Sequence, residues 1–78
     1  MSVEERLHAV VASLFPVEPG AVTDADSPQT IAEWDSIGHL NLMLALEAEF
    51  GLEFSPDEMA ALTSVGAIRR RLTGASAG

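Results

Sequence analysis

The amino-terminal part of the chain has the pattern of an amphipathic helix. Its apolar positions recur three and four residues apart, and they are Val3, Leu7, Val10, Val11 and Leu14. Ser2 and Glu5 match a capping box, in which each side chain bonds the other residue's backbone N–H. Pro16 cannot continue a helix, so the pattern predicts a first helix that ends near Leu14.

Residues 16 to about 34 lack a helical period and are predicted to form a long loop. Residues that favour turns are frequent here, namely Pro16, Pro19, Gly20, Asp24, Asp26, Ser27 and Pro28. The segment also contains apolar side chains, which are Val17, Val22, Ile31 and Trp34. We therefore expect an ordered loop that packs across the helices.

The second predicted helix covers residues 36 to 50 and gives the strongest local signal. Asp35 or Ser36 can cap its start, because either side chain can accept a hydrogen bond from a free N–H group. Gly51 stands where helices commonly end in a left-handed residue.

Two shorter helices complete the prediction. The third runs from Pro56 to about Leu62, after a Ser-Pro-Asp-Glu sequence that favours a helix start. The fourth is capped by Thr63 or Ser64 and runs to about Leu72. The expected fold is all-α: a four-helix bundle with three main helices, one short third helix and a long first loop. Residues 1–74 would form the single domain and residues 75–78 a flexible tail.

The second helix carries apolar residues on two faces. One is an ordinary core face and contains Leu42, Met43, Leu46 and Phe50. The other, here called the second stripe, contains Ile37, Leu40, Leu44 and Ala48. A helix is hard to bury on all sides in a domain of 78 residues, so we interpret the second stripe as an exposed docking surface. The sequence leaves open the alternative that the third helix covers it.

The chain is strongly acidic, with 12 Asp and Glu against 4 Lys and Arg and a formal net charge of −8. No Lys or Arg lies between Arg6 and Arg69, whereas 10 of the acidic residues do. Such a field repels nucleic acid and anionic membranes and favours partner proteins with basic surfaces. Cysteine is absent and no apolar run is long enough to span a bilayer. We expect a soluble, cytoplasmic, monomeric protein.

Residues 35–39 invite several chemical interpretations. Asp35, Ser36 and His39 supply the residue types of a hydrolytic triad, but on one helix turn the Asp cannot orient a His that also faces the Ser. Asp35 and His39 alone make a weak metal site, and we predict no metal. Ser36 lies at a helix start, where free N–H groups and the helix dipole suit a phosphoester. A simple capping role for Ser36 is the ordinary alternative.

The chain resembles the acyl carrier protein family. Residues 35–40 read Asp-Ser-Ile-Gly-His-Leu, close to the family's Asp-Ser-Leu motif. Further matching positions follow at familiar spacing and are Leu42, Leu46, Glu47, Glu49, Phe50, Gly51, Phe54, Thr63, Ser64 and Val65. The resemblance covers nearly the whole chain, including its length, its acidity and the long first loop.

The resemblance implies that a phosphopantetheinyl transferase attaches a 4′-phosphopantetheine arm from coenzyme A to Ser36. The arm would carry acyl groups as thioesters between acyl-loading and acyl-transferring enzymes, and the carrier itself would not be an enzyme. Asp35 would help to position the metal-bound phosphate of coenzyme A in the transferase. The family's partner-facing positions correspond to Ile37, Leu40, Leu44 and Glu47. Its positions near the acyl-chain cavity correspond to Leu46, Phe54, Met59 and Leu62.

Three positions on the second helix depart from typical carriers of fatty-acid synthesis. Gly38, Asn41 and Ala48 stand where those carriers have acidic residues, so the docking face is less negative. Trp34 before the motif and the Gly-His pair after it are more similar to discrete carriers of specialised pathways, such as polyketide synthesis or hydroxyacyl and glyceryl loading. Fatty-acid synthesis, aminoacyl transfer and an unmodified helical interaction module are the alternatives.

Overall fold

The computed structural model describes residues 2–77, with side chains through residue 74. It contains four α-helices, α1 (Val3–Leu14), α2 (Ser36–Phe50), α3 (Pro56–Ala61) and α4 (Val65–Ala77). A short 3₁₀ helix, Pro19–Ala21, lies in the loop between α1 and α2 and was not foreseen from the sequence. Residues 2–77 contain no strand, and the expected all-α bundle with a short third helix is confirmed.

The two ends of α1 follow directly from its sequence. The Ser2 hydroxyl accepts a hydrogen bond from the Glu5 N–H at 3.1 Å, and the Glu5 carboxylate accepts one from the Ser2 N–H at 3.3 Å. At the other end, Phe15 leaves the helix in an extended conformation with φ −123°, as expected for a residue before proline. Leu7 and Val11 of the apolar face are fully buried.

The long loop packs onto the helices through its apolar side chains. Val22, Ile31 and Trp34 are buried, whereas Val17 is half-buried. Asp26 organises the middle of the loop, since its carboxylate accepts hydrogen bonds from the Thr23 N–H and from a Thr30 hydroxyl. The loop is therefore ordered, as its sequence predicts.

The same loop also holds the start of α4. The N–H groups of Val65 and Gly66 donate to the backbone carbonyls of Asp26 and Asp24, both at 3.0 Å. Arg69 forms an ion pair with the Asp24 carboxylate at 2.9 Å, and the hydrogen bond from this guanidinium lowers the pKa of Asp24. The loop thus satisfies donors at the helix start that have no partner within the helix.

Helix α2 crosses the domain and contributes the centre of the core. Leu42, Met43 and Leu46 are fully buried, and Phe50 is half-buried. The buried apolar cluster that they join contains Leu7, Val11, Phe15, Val22, Ile31, Trp34, Phe54, Leu62, Val65, Ile68 and Leu72. Because Val65, Ile68 and Leu72 recur at helical spacing, one face of α4 closes the core opposite α2.

Helix α3 is short and rests on few polar contacts. The hydroxyl of Ser55 and the carboxylate of Glu58 form the predicted capping box at its start. Glu58 also pairs with Arg71 of α4, and this hydrogen bond lowers the pKa of the Glu58 carboxyl. Leu62 is its C-cap, so α3 ends one residue earlier than the sequence pattern predicts.

Helix α4 is longer than predicted. It continues to Ala77 instead of ending near Leu72, and Gly74 lies inside it without the positive φ of a helix-ending glycine. Glycine weakens a helix but does not force it to end. The helix end predicted from the position of Gly74 was therefore too early. The flexible tail predicted for residues 75–78 stays a prediction, since residue 78 and the side chains of 75–77 lie outside the described part.

No helix within residues 2–77 combines the length and the apolar character that crossing a membrane requires.

We expect Gly51→Ala to lower the free energy of unfolding by about 1 kcal/mol, because Gly51 has φ 63° and a Cβ is strained in that region. Gly20→Ala is the matched control, since Gly20 has no positive φ and open space around its Cα. Urea denaturation followed by circular dichroism measures both variants. An equal loss in the two variants would contradict the explanation.

Candidate functional site

Ser36 is the first residue of α2 and does not cap it. The Asp35 carboxylate accepts a hydrogen bond from the Gly38 N–H at 2.8 Å, which makes Asp35 the N-cap. The Ser36 side chain is exposed, and no group within residues 2–77 hydrogen-bonds to its hydroxyl. The capping interpretation of Ser36 is therefore wrong, and its hydroxyl is available for chemistry.

The surroundings of Ser36 fit a phosphoester. The N–H groups of the first helical residues have no acceptor within the helix, and the positive end of the helix dipole lies at the same point. A phosphate on the Ser36 oxygen would meet both. The site contains no group of three or more His, Asp or Glu side chains that could hold a metal ion, as far as residues 2–77 are concerned.

Gly38 lets the loop approach the start of α2 closely. A Cβ at this position would lie 2.3 Å from the carbonyl oxygen of Glu33 and 3.1 Å from the Phe15 ring. No side chain fits in that space, so the end of the loop packs directly on the helix backbone. In the sequence, Gly38 stood out as a missing acidic residue and as part of the Gly-His pair; its packing role could not be seen there.

His39 connects the loop, α2 and α3. The Trp34 indole N–H donates to His39 Nδ1 at 2.9 Å, and the two rings lie side by side with their planes 16° apart. Because an indole nitrogen only donates, Nδ1 is the acceptor and Nε2 carries the ring proton. Nε2 then donates to the backbone carbonyl of Met59. The sequence suggested His39 as a triad or metal residue and as part of the Gly-His pair after the motif, but not this structural role.

An open apolar groove of about 310 Å³ lies between α2 and α3, beside Ser36. Its lining residues are Ser36, His39, Leu40, Met43, Pro56, Met59 and Ala60. Of the four positions predicted near an acyl-chain cavity, only Met59 lines this groove. Leu46, Phe54 and Leu62 lie in the core instead, with at most 8% exposure.

Most of the second stripe is exposed. Ile37 is 73% exposed, Leu40 50% and Leu44 51%, and Ala48 is exposed as well. Helix α3 borders only Leu40, through the groove, so it does not cover the stripe. The stripe is thus a solvent-facing apolar surface that begins next to Ser36.

Glu47 has a structural contact that the docking interpretation did not include. Its carboxylate accepts a hydrogen bond from the Phe54 N–H at 2.8 Å, and its side chain is half-buried. This bond holds the connection between α2 and α3. A role for Glu47 in docking stays a prediction.

One protein family matches the chain over most of its length. The family described as "Phosphopantetheine attachment site" matches residues 5–72. The match covers most of the chain, which therefore belongs to this family of phosphopantetheine carriers. Members carry a covalently attached 4′-phosphopantetheine group and act as carriers that are not catalytic. Phosphopantetheinyl transferases and further partner enzymes serve them.

We expect His39→Phe to lower the free energy of unfolding by about 1–3 kcal/mol, because it leaves the indole N–H of Trp34 buried without an acceptor. His8→Phe is the matched control: the His8 ring forms no hydrogen bond within the described residues, and it is also half-buried on a helix. Urea denaturation of both variants tests the difference. A loss confined to His8→Phe would contradict the assigned role of His39.

Proposed function

We propose that this chain is a discrete acyl carrier with a 4′-phosphopantetheine arm on Ser36, and that it serves a specialised pathway of polyketide-like, hydroxyacyl or glyceryl type. The main observation that supports attachment of the arm at Ser36 is its exposed hydroxyl, which has no hydrogen-bond partner within residues 2–77. It lies at a helix start, between an apolar groove and an apolar surface.

The arm would act by tethering. Its terminal thiol holds an acyl group as a thioester, and a flexible tether raises the effective concentration of that group at a partner's active site. The protein contributes a fixed attachment point, because Asp35 caps the helix and Trp34 and His39 hold the preceding loop in place. In this proposal Asp35 also faces the transferase and helps to position the metal-bound phosphate of coenzyme A.

The second stripe would be the surface that partner enzymes contact. Ile37, Leu40 and Leu44 are its large exposed side chains, and the acidic chain around them favours basic partner surfaces. Gly38 and Asn41 leave the face less negative than is typical for fatty-acid carriers, which supports a specialised pathway.

The groove between α2 and α3 would receive the part of the cargo nearest the arm. Met43 and Met59 line the groove with flexible thioether side chains, which adapt to irregular apolar shapes. Leu46, Phe54 and Leu62 lie behind it in the packed core and would line the space that longer cargo enters.

Fatty-acid synthesis and aminoacyl transfer remain the alternative pathways. Intact mass of the carrier isolated from its own cells separates them, since a thioester-bound cargo adds its own mass. A hydroxyacyl, glyceryl or polyketide-type mass would support our proposal, and a saturated fatty acyl or aminoacyl mass would support an alternative. In either case we propose a cytoplasmic monomer, consistent with the absence of cysteine.

We expect the wild-type chain to gain one phosphopantetheine mass when it is incubated with coenzyme A and a broad-specificity phosphopantetheinyl transferase. Ser36→Ala should gain nothing, because it lacks the accepting hydroxyl. Ser13→Ala, at an exposed serine of α1, is the control and should be modified like the wild type. An unmodified wild type would refute the carrier proposal, and a modified Ser36→Ala would place the arm elsewhere.

We expect Leu44→Glu to reduce acyl transfer to a partner enzyme about tenfold, because it puts a charge in the middle of the apolar second stripe. Helicity by circular dichroism should stay unchanged, since the side chain is half exposed. Ala9→Glu adds the same charge at an exposed position of α1 and should leave transfer within about twofold of wild type. If Leu44→Glu unfolds the protein instead, the stripe is part of the core.

A further inference from the structure

A second depression, with both apolar and acidic lining residues, lies on the opposite side of the α2 start from the groove at α3. It has a volume of about 330 Å³ and is here called the notch. Its lining residues are Leu14, Phe15, Glu33, Asp35, Ile37, Gly38 and Asn41. It therefore joins the end of α1, the end of the loop and the first turns of α2.

Two walls of the notch are large, exposed apolar side chains. Leu14 and Ile37 are two of the four large apolar side chains that residues 2–77 expose, at 39% and 73%. Gly38 contributes no side chain to the notch, because the Glu33 carbonyl oxygen occupies the space that a Cβ would need. Leu14 extends the apolar surface beyond α2, so a protein that contacts Ile37 can contact α1 at the same time.

The rim of the notch carries negative charge without compensation. Glu33 is exposed, and its carboxylate has no hydrogen bond or ion pair within residues 2–77. The chain has few positively charged side chains that could pair with Glu33. It contains four basic residues, all arginines, and three of them are paired elsewhere. The fourth, Arg70, lies on α4, which contributes no residue to the notch.

We propose that the notch is a docking site for the phosphopantetheinyl transferase, and that it takes an arginine or lysine of that enzyme together with an adjacent apolar side chain. The charged end would pair with Glu33, while the aliphatic stem and the apolar neighbour would pack against Leu14 and Ile37.

The position of the notch selects the transferase over later partners. Asp35 and Ile37, which flank Ser36 in the chain, both line it. The transferase must bring its active site to the Ser36 oxygen itself, so its surface contacts the residues immediately around Ser36. Enzymes that act later need to reach only the distal end of a long flexible arm.

This inference rests on the proposed function and is tested with the full chain. The probes are coenzyme A and a phosphopantetheinyl transferase, and the quantities measured are kcat and KM for the carrier. We expect Glu33→Lys to raise KM about fivefold or more at low salt with kcat unchanged, because a reversed rim charge weakens encounter and binding. Glu33→Gln, which only removes the charge, should raise KM less.

The matched control is Glu53→Lys, which makes the same charge change at an exposed acid beyond the far end of α2. The last residue of α2 is roughly 21 Å along the helix axis from Ser36, and the KM of Glu53→Lys should stay within about twofold of wild type. Leu14→Gln, a second variant, tests the apolar wall and should raise KM at both low and high salt. The effect of Glu33→Lys should shrink in about 0.5 M salt, where charges are screened.

Two results would overturn the inference. Equal KM increases for Glu33→Lys and Glu53→Lys would mean that only total charge matters, and unchanged KM in Glu33→Lys and Leu14→Gln would mean that the transferase does not contact the notch. Both results leave the carrier function standing, since wild type is still modified. A wild type that accepts no arm at all would refute the function and the notch together.

Discussion

Trp34 is almost completely buried, with 1% exposure; its ring stacks on Phe15, and its N–H donates a hydrogen bond to His39. This contact fastens the end of the long loop to the start of α2. Through His39 it reaches the Met59 carbonyl and thereby α3. The two ring neighbours of Trp34 each line a depression beside Ser36, Phe15 the notch and His39 the groove. The geometry around Ser36 therefore depends on the packing of one aromatic side chain.

Most of the positive charge joins structural elements, whereas acids near the start of α2 remain unpaired at the surface within residues 2–77. Arg6, Arg69 and Arg71 form ion pairs that join α1 to α2, the loop to α4, and α4 to α3. Each of these partly exposed pairs contributes little free energy, but together they involve three of the four arginines. The acids around the start of α2 are left without internal cations, and this imbalance, more than the net charge, gives the protein a surface that basic partners can recognise.

The fold was predictable because its signals are local. Capping boxes at Ser2 and Ser55 and the left-handed Gly51 determine helix ends through residues that are neighbours in sequence. The exposed second stripe also followed from helical spacing. The details of the site did not, because they depend on contacts between distant segments: the hydrogen bond from His39 to Met59 spans 20 residues. The cavity positions inherited from the family had the same weakness, since only Met59 among them lines the groove.

The choice of Asp35 as the cap has a consequence for the two chemical forms of the protein. A serine that capped its own helix would exchange a stabilising hydrogen bond for the ester. Here the cap belongs to the neighbouring residue, and the Ser36 hydroxyl contributes no bond within residues 2–77 that esterification could remove. If the arm is attached to Ser36 as we propose, the apo and holo forms can share one scaffold with the same helix start. An enzyme that distinguishes the two forms would then have to sense the arm itself.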